Sequence, residues 1–588
     1  MSIGEKIELV DSTSGSEEDI GDNEGVQVPV PCVARETQKR GRQKIITERL
    51  VSTLDRCKVS DRDAIHLISA VADALGQDLN DVVLNRTSLQ RSRRELRAKK
   101  VEKLKNEFKN IDLNAAVVHW DGKCLPSLTG HEIVDRLPVI ISNGEVEQIL
   151  HIPALDSGTG KSQAEAIYHA LCDWGLEGVV KACSFDTTAS NTGQENGACV
   201  LLERLLERKL LYLPCRHHIL EIILRAVFEK KLPGTSGPSV AIFKRFQDFW
   251  PQIKQRDFST GMEEREVIQI FEHDKCALIE YLKSLTNFAR GDYKELAELC
   301  LIFLGHFSPE NVRFHFPGAM HHARWMSKAI YTLKIFMFRH QFKMNIATKE
   351  SIRDISSFIV KIYVKMWFSS SLATKAPRSD LNLLKELHEY RKVDADAAEV
   401  ALNKFLRHLW YLSPEAVAFS FFDEDVSFDI KEKMRQKIKG LRSSVDVDDF
   451  DDDDLYEEED VVPKRITLKR SEIEGIGELD EFISPKTKIF FTRFCIDASF
   501  LERPPSKWDT DEGYQQAKAI VSRIRVTNDT AERGVKLIED YNDKLSTNDE
   551  QKQFIVKIVS DHRKKYPDSK KSTLVARFED GQSSSSDQ

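Results

Sequence analysis

Two apolar stretches that each end in an aspartate, NAAVVHWD (114–121) and VVKACSFD (179–186), decide the fold of this chain. Apolar runs of this length, rich in valine and bounded by turn-forming or charged residues, are typical of buried β-strands. Both stretches therefore predict strands, and these strands end at Asp121 and Asp186. The elements predicted around them determine how the two strands are arranged.

Three more strands and three helices are predicted nearby. RLPVIISN (136–143) and VEQILHIPAL (146–155) predict the second and third strands, with a tight turn at Asn143-Gly144 between them. LLYLPC (210–215) predicts the fifth strand. Helical spacing is present in SQAEAIYHALCDWG (162–175), ENGACVLLERLLERK (195–209) and RHHILEIILRAVFEKKL (216–232).

The order of these elements favours one topology. Three consecutive strands suit an antiparallel meander, whereas strands separated by helices suit parallel pairing through crossovers. Strand, strand, strand, helix, strand, helix, strand, helix is the order of the ribonuclease-H-like fold. We therefore expect a sheet of that type, in which the first and fourth strands are neighbours.

The two aspartates at these strand ends are candidate metal ligands. On neighbouring strands, Asp121 and Asp186 can bridge two divalent ions about 3.5–4 Å apart, which activate the attacking oxygen and stabilise the leaving one in phosphodiester transfer. Hard oxygen ligands favour Mg²⁺ or Mn²⁺ over zinc. The alternative is that both aspartates cap turns, since Asp121 directly precedes Gly122.

The composition is that of a soluble protein with several structural units. The chain has 588 residues and a net charge of −8, and its ten cysteines form no CxxC pair. The first 25 residues hold eight acids, and no run of 18 apolar residues occurs. We therefore expect an intracellular protein with reduced thiols, no signal peptide and no membrane span.

The N-terminal residues 1–45 are acidic and polar, and this composition predicts disorder. They end in a basic cluster around Arg40 and Arg42. An Arg-Gly-Arg core suits an A·T-rich minor groove, but it also suits a solvated linker or a nuclear import signal. We expect a nuclear protein.

Residues 46–108 predict a small helical DNA-binding module. Residues 86–105 hold nine Lys or Arg and only two acids, and they form the last of its helices. A basic helix of this kind suits contact with DNA phosphates or a groove, although a solvated helix with internal ion pairs is the alternative. The candidate DNA contacts are Arg91, Arg93, Arg94, Arg97, Lys99 and Lys100.

The remaining boundaries follow from composition. Residues 109–325 form the first part of the α/β core, and residues 326–510 form a large all-α insertion. Residues 511–568 predict C-terminal helices that complete the core, and residues 569–588 a disordered tail. The insertion carries an acidic loop, 446–460, with eleven acids; it suits a solvated segment, and divalent-cation capture is the alternative.

The chain resembles the hAT family of cut-and-paste transposases in several short motifs, which follow one another in the order found in that family. LPCRHHILEIIL supplies a Cys-x-x-His motif at Cys215 and His218. HHARWMSKAIY supplies an Arg-Trp pair at Arg324 and Trp325. VTNDTAERGVKLIEDY supplies Glu532, followed by Arg533. Upstream of this glutamate the chain has Asn528-Asp529-Thr530 where the family commonly has serines and alanines.

The resemblance implies roles for these residues. Glu532 would join the two aspartates as the third catalytic carboxylate and metal ligand. His218 would orient the scissile phosphate or an acidic ligand. Trp325 would stack on an unpaired or flipped base, and a core tryptophan on an amphipathic helix is the alternative. Cys215, Arg324 and Arg533 would support the site. A zinc site with His321 and His322, or a buried Cys and His in the core, are the alternatives for Cys215 and His218.

Three functions fit these expectations. The first is a DNA transposase that cleaves and joins strands with two Mg²⁺ or Mn²⁺ ions at Asp121, Asp186 and Glu532. The second is a DNA-binding or chromatin protein derived from such an enzyme but without catalysis. The third is a ribonuclease-H-like nuclease. The expected partners are double-stranded DNA, in the first case transposon ends, and further copies of the chain.

Overall fold

A computed structural model describes a large part of the chain. The described residues are 45–77, 84–109, 111, 116–126, 133–144, 146–234, 240–288, 290–307, 312–318, 325–369, 371–440, 463–528, 537 and 548–566. Several predictions lie outside these ranges: the disordered segments 1–44 and 569–588, the acidic loop 446–460, and residues Arg40, Arg42, Arg324, Glu532 and Arg533.

A five-stranded mixed sheet carries the two aspartate-bearing stretches. The strands in the described ranges are β1 (Ala116–Trp120), β2 (Lys123–Pro126), β3 (Ile133–Arg136), β4 (Val139–Ser142), β5 (Glu147–His151), β6 (Ala154–Leu155), β7 (Val180–Ser184) and β8 (Leu211–Tyr212). The main sheet has the order β5-β4-β1-β7-β8. Strands β5, β4 and β1 are antiparallel neighbours, whereas β7 pairs parallel with β1 and β8 parallel with β7. The predicted adjacency of the first and fourth strands is therefore confirmed.

Two predicted strands are shorter in the structure than the sequence suggested. RLPVIISN is divided between β3 and β4, and VEQILHIPAL between β5 and β6. Each break contains a proline, Pro138 or Pro153, which has no N–H to donate to a ladder. The outer pieces β3 and β6 join β2 in a separate antiparallel sheet of order β2-β3-β6, which the sequence did not predict.

The turn between β4 and β5 requires glycine. Gly144 has a φ of 87°, which favours glycine over residues with a side chain. A Cβ at this position would also lie 2.2 Å from the Cβ of Arg523. The predicted Asn143-Gly144 turn is therefore confirmed, and it packs directly against the C-terminal part of the chain.

Helices surround the sheet and form most of the remaining structure. They are α1 (Glu48–Arg56), α2 (Asp61–Ala74), α3 (Arg86–Lys109), α4 (Gly160–Trp174), α5 (Ala189–Thr192), α6 (Ala198–Leu205), α7 (Arg216–Lys231), α8 (Ala241–Phe249), α9 (Arg265–Phe271), α10 (Lys275–Ser284), α11 (Gly291–Phe303), α12 (Trp325–Met337), α13 (Ile346–Phe358), α14 (Val364–Ser369), α15 (Ala376–Tyr390), α16 (Ala395–Phe405), α17 (Phe428–Gly440), α18 (Ile489–Arg493), α19 (Glu512–Val521) and α20 (Asp549–Lys565). The chain is thus a mixed α/β protein with a large helical part. Within the described ranges, no helix has both the length and the apolar character needed to cross a membrane.

Local residues define three helix ends. Ser60 caps α2, because its hydroxyl accepts a hydrogen bond from the Asp63 N–H at 3.2 Å. Gly175, with a φ of 63°, ends α4. At the start of α4, Thr159 is the N-cap, and its hydroxyl accepts a hydrogen bond from the Ser162 N–H.

The sheet is covered on both faces. Val139 and Ile141 belong to the main core with α4, whereas Ile140 between them packs with Val556 and Val559 of α20. Since successive residues of a strand face opposite sides of a sheet, α4 and α20 lie on opposite faces. The C-terminal helix is therefore an integral layer of the α/β core.

The N-terminal helices are joined to α20 as well as to each other. Ile46, Leu54, Ile68 and Leu89 form a small buried cluster of α1, α2 and α3. Arg97 of α3 donates a hydrogen bond to Gln551 of α20 at 3.2 Å. The N-terminal helices thus pack onto the layer that covers the sheet.

Candidate active site

The two aspartates lie at the same edge of the main sheet. Strands β1 and β7 are parallel, and His119 is paired with Ser184. The following residues, Trp120 and Phe185, stack with ring centroids 5.4 Å apart. Asp121 and Asp186 come next on the two strands and are both half-buried. Neighbouring strands are about 4.8 Å apart, so this register places the two residues side by side at the same edge.

Asp186 also organises the loop that follows it. Its Oδ1 accepts hydrogen bonds from the Thr188 N–H at 3.1 Å, the Thr188 hydroxyl at 2.6 Å and the Asn191 side-chain amide at 2.6 Å. Asn191 in turn accepts from the Trp120 indole N–H at 2.8 Å. From the described residues, Asp186 Oδ2 accepts no hydrogen bond. One carboxylate oxygen therefore holds the loop, and the other is available to a ligand.

Asn528 ties the ends of the two strands together. Its buried side-chain amide donates to the carbonyl oxygen of Trp120 at 2.9 Å and lies 3.5 Å from the carbonyl oxygen of Ser184. Its Oδ1 accepts from the Ser184 hydroxyl at 3.1 Å and from His119 Nδ1 at 3.1 Å. Asn528 is therefore bonded to both strands directly behind the two aspartates.

This network defines the state of His119. Since the Asn528 amide donates to carbonyl groups, its oxygen must be the acceptor for His119 Nδ1–H. The other ring nitrogen, Nε2, then accepts from the Ser142 hydroxyl at 2.7 Å. Burial lowers the pKa of His119 below its ordinary value. The imidazole is therefore neutral and acts as a rigid link between β1, β4 and Asn528.

Cys215 belongs to the same cluster. Its N–H donates to the carbonyl oxygen of Phe185 at 2.7 Å, and its buried sulfur accepts from the Asn528 N–H at 3.2 Å. His218 lies on the first turn of α7 and is half-buried. Burial is the main cause that lowers the pKa of His408, and the charge of His218 contributes. The structure thus brings Cys215 to the aspartates and His218 near His408.

An extended C-terminal segment brings the chain to this edge. Ala373 N–H donates to the carbonyl oxygen of Ile524 at 2.9 Å, and Arg216 N–H donates to that of Val526 at 2.9 Å. Asn528 follows two residues later. The segment therefore runs between the start of α7 and residues 371–373, and it ends at the strand tips.

The position of the Arg-Trp motif follows from the surroundings of helix α12. Trp325 is the first residue of α12, and Arg324 lies outside the described residues. On α12, the pKa of Lys328 is lowered by burial and is influenced by the charges of Arg225 and Glu229. These two residues are ten to fourteen positions beyond Cys215, about 15–20 Å along α7. The start of α12 thus lies along the distal half of α7.

Two arginines of the basic helix α3 form ion pairs inside the protein. Arg93 and Arg97 are buried and both bond to Asp55, at N–O distances of 2.7–2.8 Å. Arg93 also bonds to Asp61 at 2.6 Å. The expectation that Arg93 and Arg97 face DNA is corrected here, because their guanidinium groups are enclosed by α1, α2 and α20.

The other predicted DNA contacts lie nearer to solvent. Arg94 and Lys99 are exposed, and Arg91 is exposed in an ion pair with Glu95 at 2.9 Å. Lys100 is half-buried, with its Nζ 3.6 Å from an oxygen of Asp561. An exposed basic face of α3 therefore remains.

Reasoning from sequence missed the polar cluster behind the aspartates. His119, Ser184 and Asn528 lie in three separate parts of the chain, so no local spacing links them, and Asn191 follows Ser184 by seven residues. Within the described ranges, no group of three or more His, Cys, Asp or Glu side chains is arranged to hold a metal ion. No known protein family matches the sequence, and no curated protein matches it.

Proposed function

We propose that this protein is a metal-dependent DNA-cleaving and strand-joining enzyme of the transposase type. The observation that carries the proposal is the register of β1 and β7, which sets Asp121 and Asp186 side by side at one edge of the sheet. Two carboxylates in this arrangement are the minimum that a two-metal phosphodiester site requires.

The sheet order supports the same conclusion. An antiparallel meander of β1, β4 and β5, followed by parallel β7 and β8 through helical crossovers, is the order expected of a ribonuclease-H-like core. In that fold the first and fourth strands carry catalytic carboxylates. We interpret α12 to α18 as the helical insertion of such a core, and α19 and α20 as parts of its return.

The third carboxylate is constrained by the length of the chain. Glu532 is four residues beyond Asn528, which is bonded to both strand ends. Four residues span at most about 14 Å when extended and about 6 Å when helical. Glu532 is thus within reach of the two aspartates, and Arg533 is one residue further.

The donor set suits a hard cation. Asp121, Asp186 and Glu532 would supply oxygen ligands, which Mg²⁺ and Mn²⁺ prefer. Asp186 would bind through the oxygen that the Thr188 and Asn191 bonds leave available. The ions would activate the attacking oxygen and stabilise the leaving one. The rigid strand ends, the buried Asn528 and neutral His119 would keep the carboxylates at a fixed separation.

The proposed substrate is duplex DNA in the nucleus, at the ends of a mobile element. The exposed part of α3, with Arg91, Arg94 and Lys99, offers cations to phosphates. Assembly of two or more copies on the DNA is part of the same proposal.

A non-catalytic DNA-binding or chromatin protein is the second candidate. The observation that favours it is the triple hydrogen bonding of Asp186 Oδ1, which is also what a turn-capping carboxylate would show. In that case Asp186 would stabilise the loop and no reaction would follow.

A cleavage assay separates the two candidates. The full chain would be incubated with Mg²⁺ or Mn²⁺ and a labelled duplex carrying the DNA that flanks its own gene. We expect strand cleavage that Asp121→Asn and Asp186→Asn each abolish, without loss of DNA binding. The matched control is Asp429→Asn, an exposed aspartate on α17. Cleavage that persists in both site variants would reject the assigned carboxylates, and binding without any cleavage would favour the second candidate.

A further inference from the structure

A second surface is built from three segments that are distant in sequence, residues 241–257, 312–318 and 338–345. The Gln247 side-chain amide donates to the carbonyl oxygen of Pro317 at 3.1 Å. The Gln341 amide donates to the carbonyl oxygen of Lys254 at 3.0 Å. These bonds join the segments into one continuous surface. This surface adjoins the end of α7 that is remote from Cys215.

The surface is strongly basic. Its segments contain two exposed acids, Asp248 and Asp257. None of its exposed Lys and Arg side chains forms an ion pair with a carboxylate of the described residues, in contrast to most cations on the helices around it. These six cations are Lys244, Arg245, Lys254, Arg256, Arg313 and Lys343. Unpaired cations at this density favour a polyanionic ligand.

The same three segments also expose an aromatic side chain. Phe316 is 58% exposed, and its ring meets Trp250 edge-on with centroids 6.4 Å apart. The preceding Phe314 is buried, with ring centroids 4.8 Å from Phe338 and 5.3 Å from Phe258. Phe314 thus anchors the segment and leaves Phe316 presented to solvent.

A depression of about 740 Å³ adjoins the basic residues. Its described lining includes Arg245 and Lys343 together with apolar residues such as Val240 and Met344. The guanidinium of Arg245 donates to the carbonyl oxygen of Lys343, and it also lies over the ring of Phe342 at 4.7 Å. Arg245 is therefore held at the rim of a concave, partly apolar surface that Lys343 also lines.

We propose that this basic-aromatic surface, residues 241–257, 312–318 and 338–345, binds single-stranded nucleic acid. Cations that follow a phosphate backbone and an aromatic ring on which a base stacks are the two components of such sites. In a duplex the bases are stacked on one another, so their faces are not available to stack on Phe316. The surface contains neither Asp121 nor Asp186, so single-strand binding there is independent of the proposed catalytic function.

Fluorescence anisotropy with the full chain tests this proposal. The probes are a short labelled oligonucleotide of mixed sequence and the duplex of the same sequence, each titrated at several salt concentrations. The triple variant Lys244→Gln/Arg245→Gln/Lys254→Gln should reduce the slope of log K against log salt for the single strand by about 2. Phe316→Ala should weaken single-strand binding by about fivefold or more and leave duplex binding unchanged.

The control variant neutralises three lysines outside this surface, Lys283, Lys385 and Lys392, and should bind as the wild type does. Thermal unfolding checks that each variant is folded. Wild-type affinity and salt slope in the triple variant would overturn the proposal, as would a Phe316→Ala variant that loses duplex and single-strand binding equally. Asp186→Asn should keep single-strand binding, so failure of this proposal and failure of the catalytic one are distinguishable.

Discussion

The side-chain amide of Asn528 donates a hydrogen bond to the backbone carbonyl of Trp120 at 2.9 Å, although the two residues are 408 positions apart. The same side chain accepts a hydrogen bond from Ser184 on the neighbouring strand. Trp120 and Ser184 lie at the ends of β1 and β7. Asn528 therefore couples the separation of the two strand tips to the position of the C-terminal segment.

Replacing Asn528 by alanine tests this coupling. Asn528→Ala leaves buried groups on His119, Ser184 and Trp120 without their partner, and each such group costs about 1–3 kcal/mol. We expect a loss of at least about 3 kcal/mol in the free energy of unfolding, measured by urea denaturation. DNA cleavage by the protein that remains folded should also fall.

Ser427→Ala is the matched control for that experiment. Ser427 caps α17, where its hydroxyl accepts a hydrogen bond from the Ile430 N–H at 3.3 Å. Its loss should cost about 1 kcal/mol and leave cleavage by the folded protein unchanged. An Asn528 variant as mild as this one in both measurements would contradict the coupling.

The two roles of Asp186 can be separated by comparing two substitutions. Asp186→Asn keeps a carbonyl oxygen that can accept from the Thr188 N–H and hydroxyl, whereas Asp186→Ala removes all three hydrogen bonds. We expect Asp186→Ala to lower the free energy of unfolding by about 1–3 kcal/mol and Asp186→Asn by less. Both should abolish cleavage if the carboxylate binds a metal ion. Full cleavage by Asp186→Asn would leave only the capping role.

The main sheet was predictable because each of its strands carries a local signal. Valine-rich runs predicted β1 and β7, and helices between β5, β7 and β8 predicted parallel pairing. The prediction erred at Pro138 and Pro153, where apolar runs continue through residues that cannot donate to a ladder. A proline within an apolar run should therefore be read as a break between two strands.

Of the candidate site, the sequence predicted the two aspartates from their position and Cys215 through the family resemblance. Their signal is an acid directly after a buried strand, which a sequence displays. Asn528 has no such signal, since its role depends on contacts with Trp120 and Ser184. For Arg93 and Arg97 the local signal was misleading. A helix rich in cations predicted contact with solvent or DNA, but both side chains are buried in ion pairs with Asp55, which is distant in sequence.

The buried ion-pair network of Asp55 should be important for stability. Asp55→Ala leaves Arg93 and Arg97 buried without their main partner, and breaking a buried pair in this way costs about 3–5 kcal/mol. Glu95→Ala, which breaks the exposed Arg91 pair, should cost no more than about 0.5 kcal/mol. Chemical denaturation of the two variants measures the difference. Equal stability of both would mean that the network is not needed to hold α3 in place.

The exposed face of α3 makes a separate prediction about DNA. Arg91→Gln/Arg94→Gln/Lys99→Gln removes three exposed cations without touching Asp55. For duplex DNA, the slope of log K against log salt should fall by about 3, since each phosphate contact contributes about 0.9. The unfolding free energy should change little, because surface substitutions rarely cost more than about 0.5 kcal/mol. An unchanged slope would remove α3 from the DNA-binding surface.

Lys557 of α20 predicts a pH-dependent stability. It is buried, and its Nζ lies 5.8 Å from the centre of the Trp174 ring. The pKa of Lys557 is lowered to about 8, mainly by burial and also by the nearby charge of Lys105, while Asp173 opposes the shift. The folded state therefore disfavours the protonated amine that the unfolded chain keeps up to about pH 10.5.

The sign of the effect follows from this shift. Below about pH 8 the folded protein carries the full penalty of a buried ammonium, and stability should rise as the pH increases from about 8 to about 10.5. Lys557→Met removes the charge and keeps the length of the side chain, so it should stabilise the protein by up to about 3 kcal/mol at pH 7. The gain should shrink towards pH 10. The control Lys99→Met, on the exposed face of α3, should show no such trend, and a Lys557→Met gain that is independent of pH would mean that Lys557 is not buried as an ammonium.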